Sequence, residues 1–155
     1  MPRLITTAAD DVPAQRVRLQ RHGSDDVRAI ACRFVHASPT MRVTLSRYDP
    51  GVVIERHGHS SDHAIMVLGG HLTVGEVECP ARTIIVLEQG AVFGPLVAGP
   101  DGTELIEFYG GDATPVPADP DGFARLLADR GITPLPNPDY VGGTRSRGTG
   151  DGGHG

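Results

Sequence analysis

The stretch Asp49-Pro50-Gly51-Val52-Val53-Ile54-Glu55-Arg56-His57-Gly58-His59-Ser60-Ser61-Asp62-His63 decides how this chain is read. Asp-Pro-Gly opens it as a turn, and a short apolar run follows. A strand alternates faces with period two, so Glu55, His57 and His59 point to one side. His63 comes after a short bend and can return from the next strand. Three imidazoles converging from two adjacent strands suit a divalent transition metal, since neutral imidazole ligates Zn, Fe, Cu or Ni. Three protein ligands also leave positions open for water or substrate. Spacing alone allows a plainer reading as well, in which the histidines are packed or hydrogen-bonded core residues.

Outward from this stretch the chain is a series of short β-patterned runs. They cover residues 29–36, 41–48, 51–56, 63–68, 71–77, 83–87, 91–96 and 103–109. Residues 41–47 alternate apolar and polar side chains, the pattern of a half-buried strand. Asp49-Pro50-Gly51, Gly69-Gly70, Glu88-Gln89-Gly90 and Gly99-Pro100-Asp101-Gly102 stand between runs as turn signals. Short strands at this spacing predict a sandwich or barrel. The 21 glycines and 13 prolines among 155 residues argue the same way, because both residues break helix interiors. One helix is predicted late, with Asp119 as N-cap, Pro120 at its first position and Gly131 as its stop. Phe123, Leu126 and Leu127 share one face of it, so it should dock on something apolar.

The fourteen cations are all arginine, set against nineteen acids for a net charge of −5. Without lysine, Schiff-base chemistry through a lysine is excluded. An acidic chain with no basic stripe is a poor nucleic-acid binder. Cys32 and Cys79 form neither a CxxC pair nor a disulfide framework. The N-terminus lacks a secretory signal pattern, and no apolar run approaches the ~20 residues that span a bilayer. These features predict a cytoplasmic protein with no membrane partner. No P-loop, nucleophile elbow or dinucleotide fingerprint is present.

Residues 51–70 resemble the first motif of the cupin superfamily. Gly51, five residues, His57-Gly58-His59, three residues, His63, six residues and Gly70 follow its spacing, with His63 where the family usually has Glu. The second motif is degenerate. Arg82 stands for its first Gly, Glu88 for its Pro and Phe93 for its metal-binding His, while Gly90 keeps its place. The resemblance covers about residues 28–110. It implies an all-β jelly-roll barrel, the double-stranded β-helix, with the C-terminal helix packed outside. The expected organisation is an arm over 1–15, the barrel over 16–111, a linker, docking helix and extended segment over 112–140, and a disordered tail over 141–155.

The resemblance further implies a small-molecule substrate, a homodimer and a bound divalent metal (Fe, Zn, Ni, Cu or Mn) on His57, His59 and His63. It implies dioxygenase-type chemistry first. A redox-neutral isomerase, cyclase or lyase comes next, and then a non-catalytic binding module. Glu55 is the candidate general base, replacement ligand or outer support, with a solvated rim carboxylate as the plain reading. Phe93, Tyr109 and Glu107 are the expected pocket residues, and Tyr48 is a further hydrogen-bond donor. Glu107 shares a face with Leu105 and Tyr109, and an ion pair with an arginine is its default role. Arg33, Arg42, Arg47 and Arg56 flank strands, and one pointing inward would clamp a substrate carboxylate. His22, His36 and His71 have no spacing partner and are assigned to structure.

Overall fold

The structure, a computed structural model, describes residues 1–142. The strands in chain order are β1 (Gln15–His22), β2 (Asp26–Ala37), β3 (Arg42–Tyr48), β4 (Val53–Ile54), β5 (His57–Gly58), β6 (His63–Val74), β7 (Val77–Pro80), β8 (Ile84–Leu87), β9 (Val92–Phe93), β10 (Leu96–Tyr109), β11 (Val116–Pro117) and β12 (Ile132–Pro134), with helix α1 (Pro120–Asp129) before the last. A large antiparallel sheet runs β12-β1-β2-β3-β10-β6-β7, with β4 on β10 and β8 on β6. A small sheet, β11-β5-β9, faces it. The result is the expected jelly-roll barrel with one C-terminal helix. Its core includes Val67, Leu72, Leu96 and Leu105, all essentially inaccessible to water.

Two glycine pairs expected as turns are not turns. Gly69-Gly70 lies inside β6, and the 99–102 stretch lies inside β10. These long strands pair through register shifts, so each glycine pair serves a bulge. The real reversal follows Val74, at Gly75-Glu76. The cause is that glycine permits both a turn and a bulge, and the local sequence does not separate them.

Arg82, standing where the second cupin motif has glycine, is the one non-glycine residue with positive φ among the described residues, at 74°. The backbone at this position thus takes a conformation that glycine adopts freely. A left-handed L-residue costs roughly 1–2 kcal/mol, and glycine's extra unfolded entropy returns part of that. Arg82→Gly is expected to raise stability by about 0.5–1 kcal/mol, read by thermal or urea unfolding. A loss of stability would contradict this account.

The segment after residue 111 returns to the barrel at two points. Val116–Pro117 pairs with His57–Gly58, and Ile132–Pro134 pairs with β1. The helix has the predicted N-cap, with the Asp119 carboxylate accepting the Gly122 amide at 3.0 Å. Leu127 is buried with Val53 and Ile132, and Phe123 and Leu126 pack beside them. The expected arm ends at β1, and Ala9–Asp11 forms a single 3₁₀ turn within it. Of the tail expected to be disordered over 141–155, Val141 is held by Gln15 through both its backbone groups, and residues 143–155 lie outside the described residues. No helix among the described residues is long and apolar enough to cross a membrane.

Candidate active site

The barrel encloses a cavity of about 180 Å³. Its chemistry is concentrated on β5, β6, β10 and the loop between β5 and β6. His57, His59, His63 and Glu107 are all under 8% exposed. The imidazoles form a chain, with ring centroids 5.0 Å apart for His57 and His59 and 4.8 Å for His59 and His63. His57 pairs directly with Phe93 across β5 and β9, and their rings stand 4.8 Å apart. His63 stacks on Tyr109 at 4.0 Å. The sequence period and the return strand thus bring the three histidines together, with Phe93 and Tyr109 against them.

Each ring is oriented by an acceptor on one nitrogen. His57 Nδ1 lies 2.7 Å from the Glu55 carbonyl and His59 Nδ1 lies 3.3 Å from the Thr114 carbonyl. A carbonyl only accepts, so both nitrogens carry the proton. His63 Nε2 lies 2.9 Å from Glu107 Oε2. Burial pushes the Glu107 carboxyl up. The hydrogen bond and charge of His63 and the Tyr109 hydroxyl outweigh burial and hold it below the usual carboxylate range. Glu107 is thus an ionised acceptor, and His63 Nε2 is its donor. The opposite nitrogens, His59 Nε2 and His63 Nδ1, are buried with no hydrogen-bond partner. Burial, with His63 and His57 adding to it, lowers the His59 pKa to about 4, so the ring is neutral at physiological pH. Burial also lowers the His57 pKa.

This donor set fits a transition metal. Buried imidazoles with one nitrogen held by an oxygen and the other left without a partner are the arrangement of metal-bound histidine. Among the described residues, no three His, Cys, Asp or Glu side chains are already grouped so as to hold an ion. The fit therefore rests on the two orphaned nitrogens and the fixed tautomers.

Glu107 departs from the expected arginine pair. Its partners are His63 and the hydroxyls of Tyr48, at 3.4 Å, and Tyr109. Burial and the Glu107 charge push both tyrosines well above their ordinary pKa, so they remain donors. Glu55 lines the cavity, but its carboxylate is gripped by Arg18 at 2.6 and 3.2 Å. Burial raises the Glu55 pKa, and the Arg18 contact more than reverses this. No sequence pattern singles out Arg18. Two residues along β1, Gln20 bonds both the amide and the carbonyl of Val53. Alternate inward residues of β1 therefore hold the strand that leads to His57. His36, assigned to structure, lines the cavity, whereas His71 faces Glu78 at 3.0 Å. Cys32 also lines the cavity, and burial pushes its thiol up to about 12, which makes it a poor nucleophile.

The mouth is covered from the C-terminal side. Phe34 and Tyr140 stack at 5.6 Å, and Gln15 bonds both backbone groups of Val141. Asn137, Tyr140 and Gly142 complete the cavity wall.

No protein-family model matches this chain, and no curated protein matches its sequence. Solved structures do match its fold. A candidate acetylacetone dioxygenase from Methylibium petroleiphilum aligns over 92% of this chain and 92% of its own, with TM-score 0.63 and 13% identity. The polyketide cyclase RemF from Streptomyces resistomycificus aligns over 79% of this chain and 94% of its own, with TM-score 0.60 and 16% identity. An RmlC-like cupin from Shewanella frigidimarina aligns over 69% and 90%, with TM-score 0.53 and 14% identity. At these identities the likeness is one of fold.

Proposed function

This chain has the cupin fold, and from that fold and its buried imidazoles we propose a metal-dependent enzyme acting on a small organic molecule. The observation that carries the proposal is the pair of buried, unpartnered nitrogens, His59 Nε2 and His63 Nδ1, beside His57. Unsatisfied buried polar atoms are rare and costly, so their presence calls for an occupant. His57, His59 and His63 would hold the ion, and Phe93 supplies an apolar wall in place of the family's fourth ligand. Bound there, Fe, Zn, Ni, Cu or Mn would supply Lewis acidity or, for iron, O₂ chemistry.

Dioxygenase-type turnover is the first reading, because three protein ligands leave open positions for substrate and O₂. A redox-neutral cyclase, isomerase or lyase is the second, favoured by Glu107. That carboxylate accepts from one imidazole and two phenols inside the cavity, a charged network that would hold proton-donating groups in place beside a substrate. Glu55 has a supporting part in either reading, since Arg18 occupies its carboxylate and its carbonyl fixes His57.

Metal analysis tests the proposal. Purified protein is expected to carry or take up about one transition metal per chain, and His57→Ala/His59→Ala to hold almost none. Absence of metal with no uptake on add-back would sink the enzyme reading and leave a non-catalytic binding module. If the metal is iron, O₂ consumption with candidate substrates separates the first reading from the second.

A homodimer is part of the same proposal. Ile84 and Val86 on β8 and Phe108 on β10 are exposed on the outer face of the large sheet. Residues Val86, Ala64 and Phe108 lie in one cross-strand row there, giving a continuous apolar surface. Ile84→Glu/Val86→Glu is expected to sediment as a monomer where the parent protein is a dimer. A parent protein that is itself monomeric removes this element.

A further inference from the structure

The geometry points to Arg42 as a carboxylate-recognition residue, making the ligand of this cavity a small carboxylic acid with an apolar or aromatic body. Arg42 is the first residue of β3, on the inward face with Thr44, Ser46 and Tyr48, and all four line the cavity. Its register partner on β10 is Tyr109, whose partner on β6 is His63. Directly opposed residues share a face, so His63, Tyr109 and Arg42 form one row along the cavity wall. Strands lie about 4.8 Å apart, which puts Arg42 two strands, or about 10 Å, from His63. A ligand held at Arg42 thus extends past Tyr109 toward the imidazoles, along a wall that includes Ile65, Leu96 and Phe93.

Arg42 is uncommitted. Its Nε is buried without a hydrogen-bond partner, and the guanidinium forms no ion pair among the described residues. The other arginine of the cavity, Arg18, is taken by Glu55. Arg28, Arg33 and Arg47 donate to acceptors of their own. Asp112 feels the Arg42 charge, but its Oδ1 is occupied by the amide and hydroxyl of Thr114. A buried guanidinium N–H left unpaired is costly, and a carboxylate is the ligand group that meets its planar fork with two parallel hydrogen bonds. Neither an amide nor an ester presents two anionic oxygens.

This inference rests on the cavity being the ligand site of the proposed enzyme, but not on the metal. The test is ligand-observed NMR titration with acetate, benzoate and phenylacetate against benzamide and phenylacetamide. It is run on the parent protein, on Arg42→Met, on Arg42→Lys and on His57→Ala/His59→Ala. The acids are expected to bind the parent at least about 10-fold better than the amides, the worth of one charge-assisted hydrogen bond. Arg42→Met should abolish that preference. Arg42→Lys, which keeps the charge without the fork, should reduce it and decides the matter if Arg42→Met fails to fold. The histidine variant should keep it. Equal binding of acids and amides, or no binding by any of the three acids, overturns the inference. So does a preference kept in the Arg42 variants but lost in the histidine variant, which would mark capture by a metal. A metal-free protein with the acid preference intact would sink the metal reading and leave this one standing.

Discussion

Glu107→Leu is expected to cost about 3–5 kcal/mol of folding stability, the usual penalty for removing one partner of a buried pair. The reason is that Glu107 is the common acceptor of three donors. His63 Nε2 and the hydroxyls of Tyr48 and Tyr109 all converge on it, and all three side chains lie inside the barrel. With leucine in its place, each is left buried without a partner. Glu107→Gln keeps one acceptor oxygen but turns an amide NH₂ toward other donors, and should cost less, about 1–3 kcal/mol. Urea unfolding at neutral pH measures both. The sign of the pH dependence follows from the depressed Glu107 pKa. The folded state holds the carboxylate ionised below its ordinary value of 4.5. Its contribution is therefore complete above about pH 4.5 and is lost as pH falls through the lower folded value. Stability in the parent should drop through that acid limb, and the drop should be shallower in Glu107→Gln. Equal stability of the parent and Glu107→Leu would mean that the network is not what holds this wall. The same substitution releases the ring of His63, and in the proposed metal site it should weaken metal affinity by about 10–100-fold.

The contrast between β5 and β3 shows where the sequence is legible. His57 and His59 can be placed together because residues two apart in extended backbone share a face, and His59 directly follows β5. His63 and Phe93 follow from motif spacing. Arg42 is harder. The alternation in residues 41–47 reveals the period of β3 but not which face looks inward. A half-buried strand ordinarily turns its polar side out. Here the polar set of Arg42, Thr44 and Ser46 faces the cavity, and Arg47 is exposed on the other side. A barrel with a polar-lined cavity reverses the sign of the amphipathic rule while keeping its period. Arg18 carries still less signal, since its meeting with Glu55 depends on β1 lying against the turn after β4, 37 residues away. Strand alternation assigns Glu107 to the right face, but the expected arginine is the wrong kind of partner. Beside Tyr109 on its own strand, its partners come from β3 and β6, and pairing register is set by the whole sheet. The C-terminal cover is hidden for the same reason. Proline-rich composition marks an absence of helix, but Val116–Pro117 can still add an edge strand beside His57.

Gly70 shows the same ambiguity from the side of the backbone, and it gives the second large effect. As the closing glycine of the first motif it reads as part of a turn. It sits instead at the bulge where β6 crosses β10, with φ of +69°. A Cβ there would stand 2.1 Å from the Gly102 carbonyl oxygen and 2.9 Å from its carbon. Gly102 is itself left-handed at +79°, and a Cβ on it would reach within 2.5 Å of the Tyr48 carbonyl. The two glycines let β3, β10 and β6 approach in one row through Thr103, which is paired with both Tyr48 and Gly70. Gly70→Ala therefore carries two costs, about 1–2 kcal/mol for the left-handed conformation and about 1–3 kcal/mol for the backbone displaced by the clash. Gly90 separates them. It has φ of +82° and nothing within 4 Å of where an alanine methyl would stand, so Gly90→Ala should show only the first cost. The expected order in urea unfolding is parent, then Gly90→Ala, then Gly70→Ala, with about 2–5 kcal/mol between first and last. Equal losses for the two variants would mean that conformation alone requires glycine at position 70. The close approach at this row also fixes Tyr48, whose hydroxyl reaches Glu107. Gly70→Ala should thus weaken binding in the cavity as well as stability, although the glycine touches no residue of the site.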